Sequence, residues 1–487
     1  VMKQVCYLSL SNRYSNTRKK HDFSMGSNNS VCVGIDDVAI HFPRLYMDMK
    51  DFADLRGEDY GKLNKGLGLK AMSIPDVHED TATMGANAVM KLIDRNGLNP
   101  RNIGRMYLGT ESALDGAKPT ATYAVGMVEE KLAKQYGLRC FKNCDVVDMT
   151  FACVGAVDAL ENCIDWIKSN SERKAIVIAS DVAKYELAST GEYTQGAGAV
   201  AMLISSNPSI ISFNETFGIS MEHVGDFFKP RRLLRNKDLN GDIDIQKITS
   251  TNKAVLELFY EEPVFDGQYS NECYAKRIKE GMEHFIEQKN TNLLTDWDKL
   301  VFHLPYAFQG RRMMLDIWID WMKENGKLGD IENEVGKEDH NDIKTWKKSV
   351  SKSSLYKTFV KEKIADGEVA SGEIGNMYTA SIFMSLISHL YVSCENNQEL
   401  EGKRFGFISY GSGSKSKVFE GTIQNNWKSK TKHLSLFDSL SNRTFIDFET
   451  YEKLHNSQYD TPLNEKDDFS LKSISTEKNK EGFRYYH

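Results

Sequence analysis

Long apolar runs and an excess of basic residues are both missing from this sequence of 487 residues. Because no apolar stretch is long enough to span a bilayer, we expect no membrane segment. Lysine and arginine number 62 against 68 aspartates and glutamates, which gives a net charge of −6 and no basic footprint for nucleic acid. These absences favour a globular protein with neither a membrane nor a nucleic acid as partner.

A disulfide framework is also missing, although the chain has eight cysteines. They are scattered along a long chain, so they do not form the dense framework that marks a disulfide-stapled protein. Cys140 and Cys144 have no second Cys or His pair nearby, so we predict no metal site. We expect free thiols and a reducing, cytoplasmic location.

The length predicts two domains or one large duplicated domain. Apolar runs typical of buried strands alternate with helical patterns on both sides of residue 225, which predicts an α/β protein with similar halves at 31–225 and 226–487. Residues 1–30 are basic and rich in Ser and Asn, as in a transit peptide, sequence upstream of a start at Met25, or a disordered tail. The charged stretch 326–373 predicts a solvated helical insertion or a mobile linker.

Cys153 lies at the start of a predicted helix. Apolar residues recur at steps of three and four over 154–167, and acidic residues fill the opposite face. The N–H groups and dipole at a helix start favour a thiolate, can lower its pKa and can stabilise an oxyanion, so Cys153 is a candidate nucleophile. The alternative is a cysteine that packs as a small buried residue.

Further candidate groups follow other predicted strands. The strand predicted over 103–112 ends on a polar turn that contains Glu111, and Asp115 follows it; a carboxylate at such a place can act as general base or simply cap a turn. His303 lies in an apolar run, as a catalytic or a satisfied core histidine would. Acyl transfer with carbon–carbon bond formation needs such a set, namely a thiolate, a base and donors for the enolate and alkoxide.

Many ordered motifs resemble the hydroxymethylglutaryl-CoA (HMG-CoA) synthase family of thiolase-fold condensing enzymes. The resemblance runs from about Gly34 to the C-terminus, and the Glu of T-E-S-x-x-D singles out the family. The matching segments are GLGLKAMSIP (66–75), MGANAV (84–89), GTESALD (109–115), the Cys153 loop, ASDVAKY (179–185), GEYTQGAGAVAMLI (191–204), DFFKP (226–230), FHLPY (302–306), GNMYT (375–379) and SYGSG (409–413).

The resemblance implies a five-layer α/β/α/β/α thiolase-like fold, a homodimer, and no metal or cofactor, since acetyl-CoA and acetoacetyl-CoA are substrates. It implies that Cys153 carries acetyl, that Glu111 is the acid and base, and that His303 polarises the second substrate. Further positions are implied to shape or support the pocket: Asp115, Asp181, Tyr185, Thr194, Asp226, Asn376, Tyr378 and Ser412.

One departure from the family pattern affects recognition of the thioester carrier. The family has a lysine that aids CoA binding five positions after the histidine, where this chain has Phe308. Arg311 and Arg312 follow, and arginine can bind phosphate with two parallel hydrogen bonds. The missing lysine therefore keeps one alternative open beside the mevalonate-pathway synthase: a β-branching synthase that acts on acyl carrier protein in polyketide assembly. An initiating ketoacyl synthase would not need Glu111, and a non-catalytic scaffold would not need Glu111, Cys153 and His303 together.

Overall fold

Ten strands from both predicted halves form the main sheet of the computed structural model. The structure describes residues 31–239, 244–246 and 255–487, so the prediction for 1–30 lies outside the described residues. The strands of the described chain are β1 (Val33–His41), β2 (Leu45–Asp48), β3 (Ala71–Ile74), β4 (Ile103–Gly109), β5 (Asp145–Met149), β6 (Lys174–Ala183), β7 (Gly196–Ser206), β8 (Ile211–Phe213), β9 (Gly218–Met221), β10 (Phe227–Phe228), β11 (Arg232–Arg235), β12 (Val255–Leu258), β13 (Val264–Phe265), β14 (Lys299–Phe302), β15 (Arg404–Gly411), β16 (Lys415–Ile423), β17 (Thr444–Phe445), β18 (Leu471–Ile474) and β19 (Arg484–Tyr486).

The α-helices of the described chain are α1 (Met49–Arg56), α2 (Thr81–Asn96), α3 (Thr120–Tyr136), α4 (Gly155–Lys168), α5 (Gly267–Lys289), α6 (Leu293–Asp296), α7 (Gln309–Glu324), α8 (Leu328–Val335), α9 (Ile343–Val350), α10 (Ser354–Lys363), α11 (Ala365–Ile374), α12 (Ser381–Glu395), α13 (Trp427–Lys432), α14 (Leu436–Ser441) and α15 (Phe448–His455). None of these described helices has the length and apolar character needed to cross a bilayer.

The sheet order is β14-β15-β16-β8-β1-β7-β6-β4-β5, with β9 also paired to β16. Strand β4 runs parallel to both β5 and β6, and β14 runs parallel to β15. Parallel strands end at the same edge of a sheet. The loops that follow β4, β5 and β6 therefore meet, and these are the loops that carry Glu111 and Cys153.

Alternating side chains divide the interior into three cores. On β6, Ile176 and Ile178 pack with α2 and α3, whereas Val177 packs with α4 and α12. On β15, Phe407 faces that same central core, and Ile408 faces an outer core built with α5 and α7. Helices α4 and α12 therefore lie between two portions of the ten-stranded sheet, one around β6 and one around β15, and other helices cover the outer faces. This arrangement has five layers, so the predicted thiolase-like fold is confirmed.

The charged stretch 326–373 is helical and packed, so the alternative of a mobile linker is wrong. It forms α8, α9, α10 and most of α11. Ile331, Trp346, Val350 and Tyr356 are buried in the core that also contains α7. These few apolar residues are enough to pack the charged stretch against the core, because each one lies on the inner face of its helix.

Candidate active site

A sharp turn between β5 and α4 presents Cys153. Ala152 has a left-handed φ of 41°, which a residue with a side chain adopts only when the surrounding structure holds it there. A Cβ on Gly155 would lie 2.5 Å from the carbonyl oxygen of Met149, so only glycine allows this close approach. Cys153 follows the turn and is 7% exposed, just ahead of the first helical residue.

Asp181 fixes the loop that carries Glu111. This aspartate of β6 is fully buried, and its Oδ1 accepts hydrogen bonds from Thr110 Oγ1 at 2.7 Å and from the Glu111 backbone N–H at 2.8 Å. Its Oδ2 accepts hydrogen bonds from the backbone N–H of Thr379 at 3.0 Å and from that residue's hydroxyl at 2.5 Å. Asp181 therefore supports the site by joining three segments, without lining the cavities described below.

Cys153 and Glu111 are in direct contact. The thiol donates a hydrogen bond to Glu111 Oε1, with 2.8 Å between sulfur and oxygen. Burial, followed by the charge of Glu111, raises the pKa of Cys153 well above its ordinary value. The predicted lowering of this pKa by the helix start is therefore wrong: desolvation and a neighbouring carboxylate both disfavour the thiolate and outweigh the helix dipole.

The carboxyl group of Glu111 is tuned to neutral pH. Burial raises its pKa to about 7, while the positive charge of Lys229 opposes this shift. The ammonium of Lys229 also donates a hydrogen bond to the Glu111 backbone carbonyl at 3.1 Å. A carboxyl group with a pKa near the working pH can both accept and return a proton.

His303 lies on the same cavity as Cys153. It directly follows β14, and its backbone carbonyl accepts a hydrogen bond from the Tyr274 hydroxyl at 2.8 Å. Burial lowers the pKa of His303 to about 3, so the imidazole is neutral at physiological pH. Its buried Nδ1 has no hydrogen-bond partner among the described residues. A neutral imidazole in a cavity can hydrogen-bond a carbonyl group without adding charge.

The cavity shared by Cys153 and His303 has a volume of about 420 Å³. We call it the Cys153 cavity, and the predicted residues on its wall are Tyr185, Thr194, Arg312, Asn376, Tyr378 and Ser412. Glu111 faces a neighbouring cavity of about 700 Å³, which we call the Glu111 cavity. Phe227 and Ser412 line both, so the sulfur and the carboxylate meet at the boundary between two open spaces.

Three other predicted residues do not line the Cys153 cavity. Asp115 is exposed beside the Glu111 cavity and accepts hydrogen bonds from the backbone of its own turn, at Ala117 and Lys118. Asp226 is buried and holds the turn of Ser412, accepting from the Tyr410 hydroxyl at 2.6 Å and from the Gly413 N–H at 2.7 Å.

Arg311 is the third of these residues. Its Nε donates to Glu368 at 2.8 Å, and its guanidinium lies 3.8 Å from the centre of the Phe308 ring. The structure therefore places Arg311 in an ion pair with a buried carboxylate and not on the cavity wall. Arg312, one position along α7, is the arginine that faces the cavity.

Three residues of the site were not predicted from the sequence, namely Lys62, Lys229 and Tyr274. Lys62 lines the Cys153 cavity with its ammonium 5.3 Å from the centre of the Tyr193 ring. Lys229 lies inside DFFKP, so motif position was the available signal for it, whereas Lys62 precedes the segment GLGLKAMSIP (66–75) without belonging to it. No signal marked Tyr274, which lies on a long helix with no motif of its own.

One group of side chains in the described chain has the spacing of a metal site. Ligand atoms of His41, Glu79 and Asp467 lie within 4.8 Å of one another, and none of these residues lines the Cys153 or Glu111 cavity. Arg44 pairs with Asp467 at 2.6 Å, and the Lys91 ammonium lies 3.5 Å from His41 Nδ1. Because two side-chain cations already share the group, a metal cation is disfavoured there.

The fold and the contact between thiol and carboxyl define a class: a thiolase-like protein with a cysteine nucleophile candidate at the start of a central helix. Family models narrow this. Residues 30–209 match the N-terminal model of hydroxymethylglutaryl-coenzyme A synthase, and residues 253–486 match the C-terminal model. The chain therefore belongs to the HMG-CoA synthase family, as the sequence motifs predicted.

Individual relatives agree with this assignment. The chain is 31% identical to the HMG-CoA synthase of Haloferax volcanii over 437 residues, covering 87% of this chain and 91% of the relative. It is 32% identical to the cytoplasmic HMG-CoA synthase of Gallus gallus over 394 residues, covering 78% and 70%. The solved structure of MvaS in complex with 3-hydroxy-3-methylglutaryl coenzyme A has a TM-score of 0.73 and 25% identity, covering 94% and 99%.

Proposed function

We propose that this protein is an HMG-CoA synthase, an acyltransferase that condenses acetyl-CoA with acetoacetyl-CoA in the mevalonate pathway. The observation that carries the proposal is the 2.8 Å contact between Cys153 Sγ and Glu111 Oε1, beside a cavity that His303 also lines. Names of relatives support the same activity, since relatives that are 31% and 28% identical to this chain are HMG-CoA synthases.

In the first step, the sulfur of Cys153 attacks the carbonyl carbon of acetyl-CoA. The Sγ–H proton passes to Glu111, whose Oε1 already accepts its hydrogen bond. The bond between the acetyl group and the CoA sulfur breaks, and CoA takes up that proton from Glu111 and leaves as the thiol, which returns Glu111 to its carboxylate form. Because the resting thiol has a raised pKa, proton transfer accompanies the attack and no stable thiolate precedes it.

In the second step, Glu111 removes a proton from the methyl group of acetyl-Cys153. The carbanion attacks the keto carbon of acetoacetyl-CoA, and Glu111 returns the proton to the alkoxide. His303, which is neutral, hydrogen-bonds the second substrate and polarises it. Water then cleaves the thioester to Cys153, which releases HMG-CoA and restores the thiol. Holding both acyl groups in one cavity replaces a bimolecular encounter.

The lysine that the family uses to bind CoA is replaced by Phe308, so the CoA phosphates need another binding group. The Phe308 ring is close to the guanidinium of Arg311, which pairs with Glu368. Arg312 and Lys62 are the basic residues on the wall of the Cys153 cavity. We propose that these two cations bind the phosphates of the thioester carrier.

A β-branching synthase is the second candidate, because the missing lysine at position 308 weakens the case for free CoA. The curacin biosynthetic pathway HMG synthase, solved in complex with acetyl donor-ACP, has a TM-score of 0.72 at 20% identity, which shows a common fold only.

Side-by-side assays separate the two candidates. We expect HMG-CoA to form from acetyl-CoA and free acetoacetyl-CoA with a kcat/KM at least about tenfold above that for acetoacetyl-carrier protein, because the proposed phosphate anchors serve the CoA nucleotide. Mass spectrometry of the products gives both rates. A preference for the carrier protein would favour the β-branching reaction, and absence of product from either would contradict both assignments.

We also propose a homodimer. Strand β5 is the last strand of the sheet order, and its residues Val147 and Met149 are only partly buried in the described chain. An open edge with apolar side chains favours pairing with a second copy. Sedimentation equilibrium should give twice the mass of the 55.2 kDa chain, and a Val147→Pro variant should shift the equilibrium toward monomer. A monomeric parent protein at micromolar concentration would contradict the proposal.

A further inference from the structure

A third cavity of about 530 Å³ lies beside the end of β1, and it shares no lining residue with the Cys153 or Glu111 cavity. Its wall carries the cationic side chains of Arg44, Lys91, Arg95 and Arg443, and one carboxylate, that of Asp467. We call it the basic cavity. A chain with a net charge of −6 concentrates positive charge at this place.

Two of the four cations are neutralised within the protein. Arg44 pairs with Asp467 at 2.6 Å. Arg95 donates two hydrogen bonds to Asp37, at 2.9 and 2.8 Å. The wall carboxylate is therefore already engaged in an ion pair, and its charge reaches Lys91 only from beyond contact distance.

Lys91 is the first cation that has no carboxylate in direct contact among the described residues. Its ammonium donates a hydrogen bond to the backbone carbonyl of Ile40 at 3.0 Å and lies 3.5 Å from Nδ1 of His41. Burial lowers the pKa of His41 to about 3, so this histidine is a neutral neighbour. Within residues 31–239, 244–246 and 255–487, no carboxylate forms an ion pair with Lys91, and burial lowers the pKa of this lysine while the more distant charge of Asp467 opposes that shift.

Arg443 is the second under-compensated cation. Its side chain is 3% exposed, and its Nε and Nη1 donate to the backbone carbonyls of Leu440 and Glu373 and to the Ser73 hydroxyl. Nη2 lies 3.7 Å from the Glu373 carboxylate, too far for a hydrogen bond. A buried guanidinium with unused donors is costly unless an anion completes it.

We propose that the basic cavity binds a small molecule bearing a phosphate group. An ammonium with no carboxylate in contact lies on the same wall as a guanidinium whose carboxylate partner is 3.7 Å away, and the planar donors of a guanidinium together with an ammonium suit the oxygens of a phosphate group. Ser439 and Asn442 add polar side chains to the same wall. The cavity volume exceeds that of a single inorganic phosphate ion and leaves room for an attached organic group.

Calorimetric titration with inorganic phosphate tests this site, with sodium chloride at matched ionic strength as the reference. We expect saturable phosphate binding that Lys91→Gln weakens by about tenfold or more, which is the effect of losing one charge-assisted hydrogen bond. Lys430→Gln is the matched control and should bind as the parent does, because this nearby lysine bonds Asn96 at 2.8 Å and does not line the cavity.

A second variant covers the case in which Lys91→Gln does not fold. Arg44→Gln removes the partner of Asp467 and leaves that carboxylate facing the bound anion, so phosphate binding should weaken there as well. Phosphate that binds no better than chloride, or equal phosphate binding by parent and both variants, would overturn the proposal. None of these binding measurements depends on synthase activity, so failure of this proposal can be distinguished from failure of the proposed reaction.

Discussion

Replacing Cys153 by alanine is expected to abolish acetyl capture and to lower turnover by about 10⁴-fold or more. The parent protein, incubated with acetyl-CoA labelled in the acetyl group, should retain close to one label per chain. The variant should retain none, because the side chain beside Glu111 and His303 no longer offers a sulfur. Mass spectrometry of the intact protein and of its peptides measures both the amount and the position of the label.

Cys163 provides the matched control for this experiment. It lies in α4, the helix that begins directly after the Cys153 turn, and burial raises its pKa to about 12. Cys163→Ala should therefore keep the label and most of the turnover. Label that persists in Cys153→Ala, or that disappears in Cys163→Ala while that variant remains folded, would show that another group carries the acetyl.

Periodicity predicted the elements that bear the site with useful accuracy. The apolar repeat over 154–167 predicted a helix, and the structure has the helix Gly155–Lys168. This segment is packed against the sheet, so local pattern and tertiary structure agree. Strand β5 was not predicted from the sequence, because this short strand at the edge of the sheet contains the charged residues Asp145 and Asp148.

Contacts between distant segments could not be read from spacing. The sulfur of Cys153 meets a carboxylate 42 residues earlier because β4 and β5 are parallel neighbours with Gly109 opposite Met149. A Cβ on Gly109 would lie 2.2 Å from the backbone nitrogen of Ala156, so the first turn of α4 rests directly on the end of β4. The family resemblance predicted which residues would meet, whereas strand register explains how they do.

Electrostatic expectations were the least reliable part of the sequence analysis. The helix start suggested an acidic thiol, but burial and Glu111 dominate the pKa of Cys153. Arg311 looked as suitable for phosphate as Arg312, yet it faces Glu368 because successive helical residues point about 100° apart. Both outcomes depend on which groups become neighbours after folding.

Glu111→Gln is expected to separate the two chemical steps. Condensation should fall about 10²- to 10⁴-fold, since the amide can neither take the methyl proton nor return it to the alkoxide. Acetylation of Cys153 should stay within about tenfold of the parent. The variant loses a proton acceptor for the thiol, but it also loses the negative charge that raises the thiol pKa, and the two effects oppose each other.

Two measurements separate the steps: labelling of Cys153 by acetyl-CoA and exchange of the acetyl-enzyme methyl protons with deuterated water. Glu111→Gln should keep the labelling and lose the methyl exchange. The control is Glu257→Gln, which changes a 63% exposed carboxylate on the wall of the Glu111 cavity and should keep both.

In the parent, condensation should rise with pH through about 7, because the base must be ionised and burial has raised the pKa of Glu111 to that range. If Glu111→Gln exchanges methyl protons at the parent rate, another residue is the base. If condensation by the parent does not rise with pH through this range, the proton-transfer step does not depend on ionisation of Glu111, the group that contacts the sulfur.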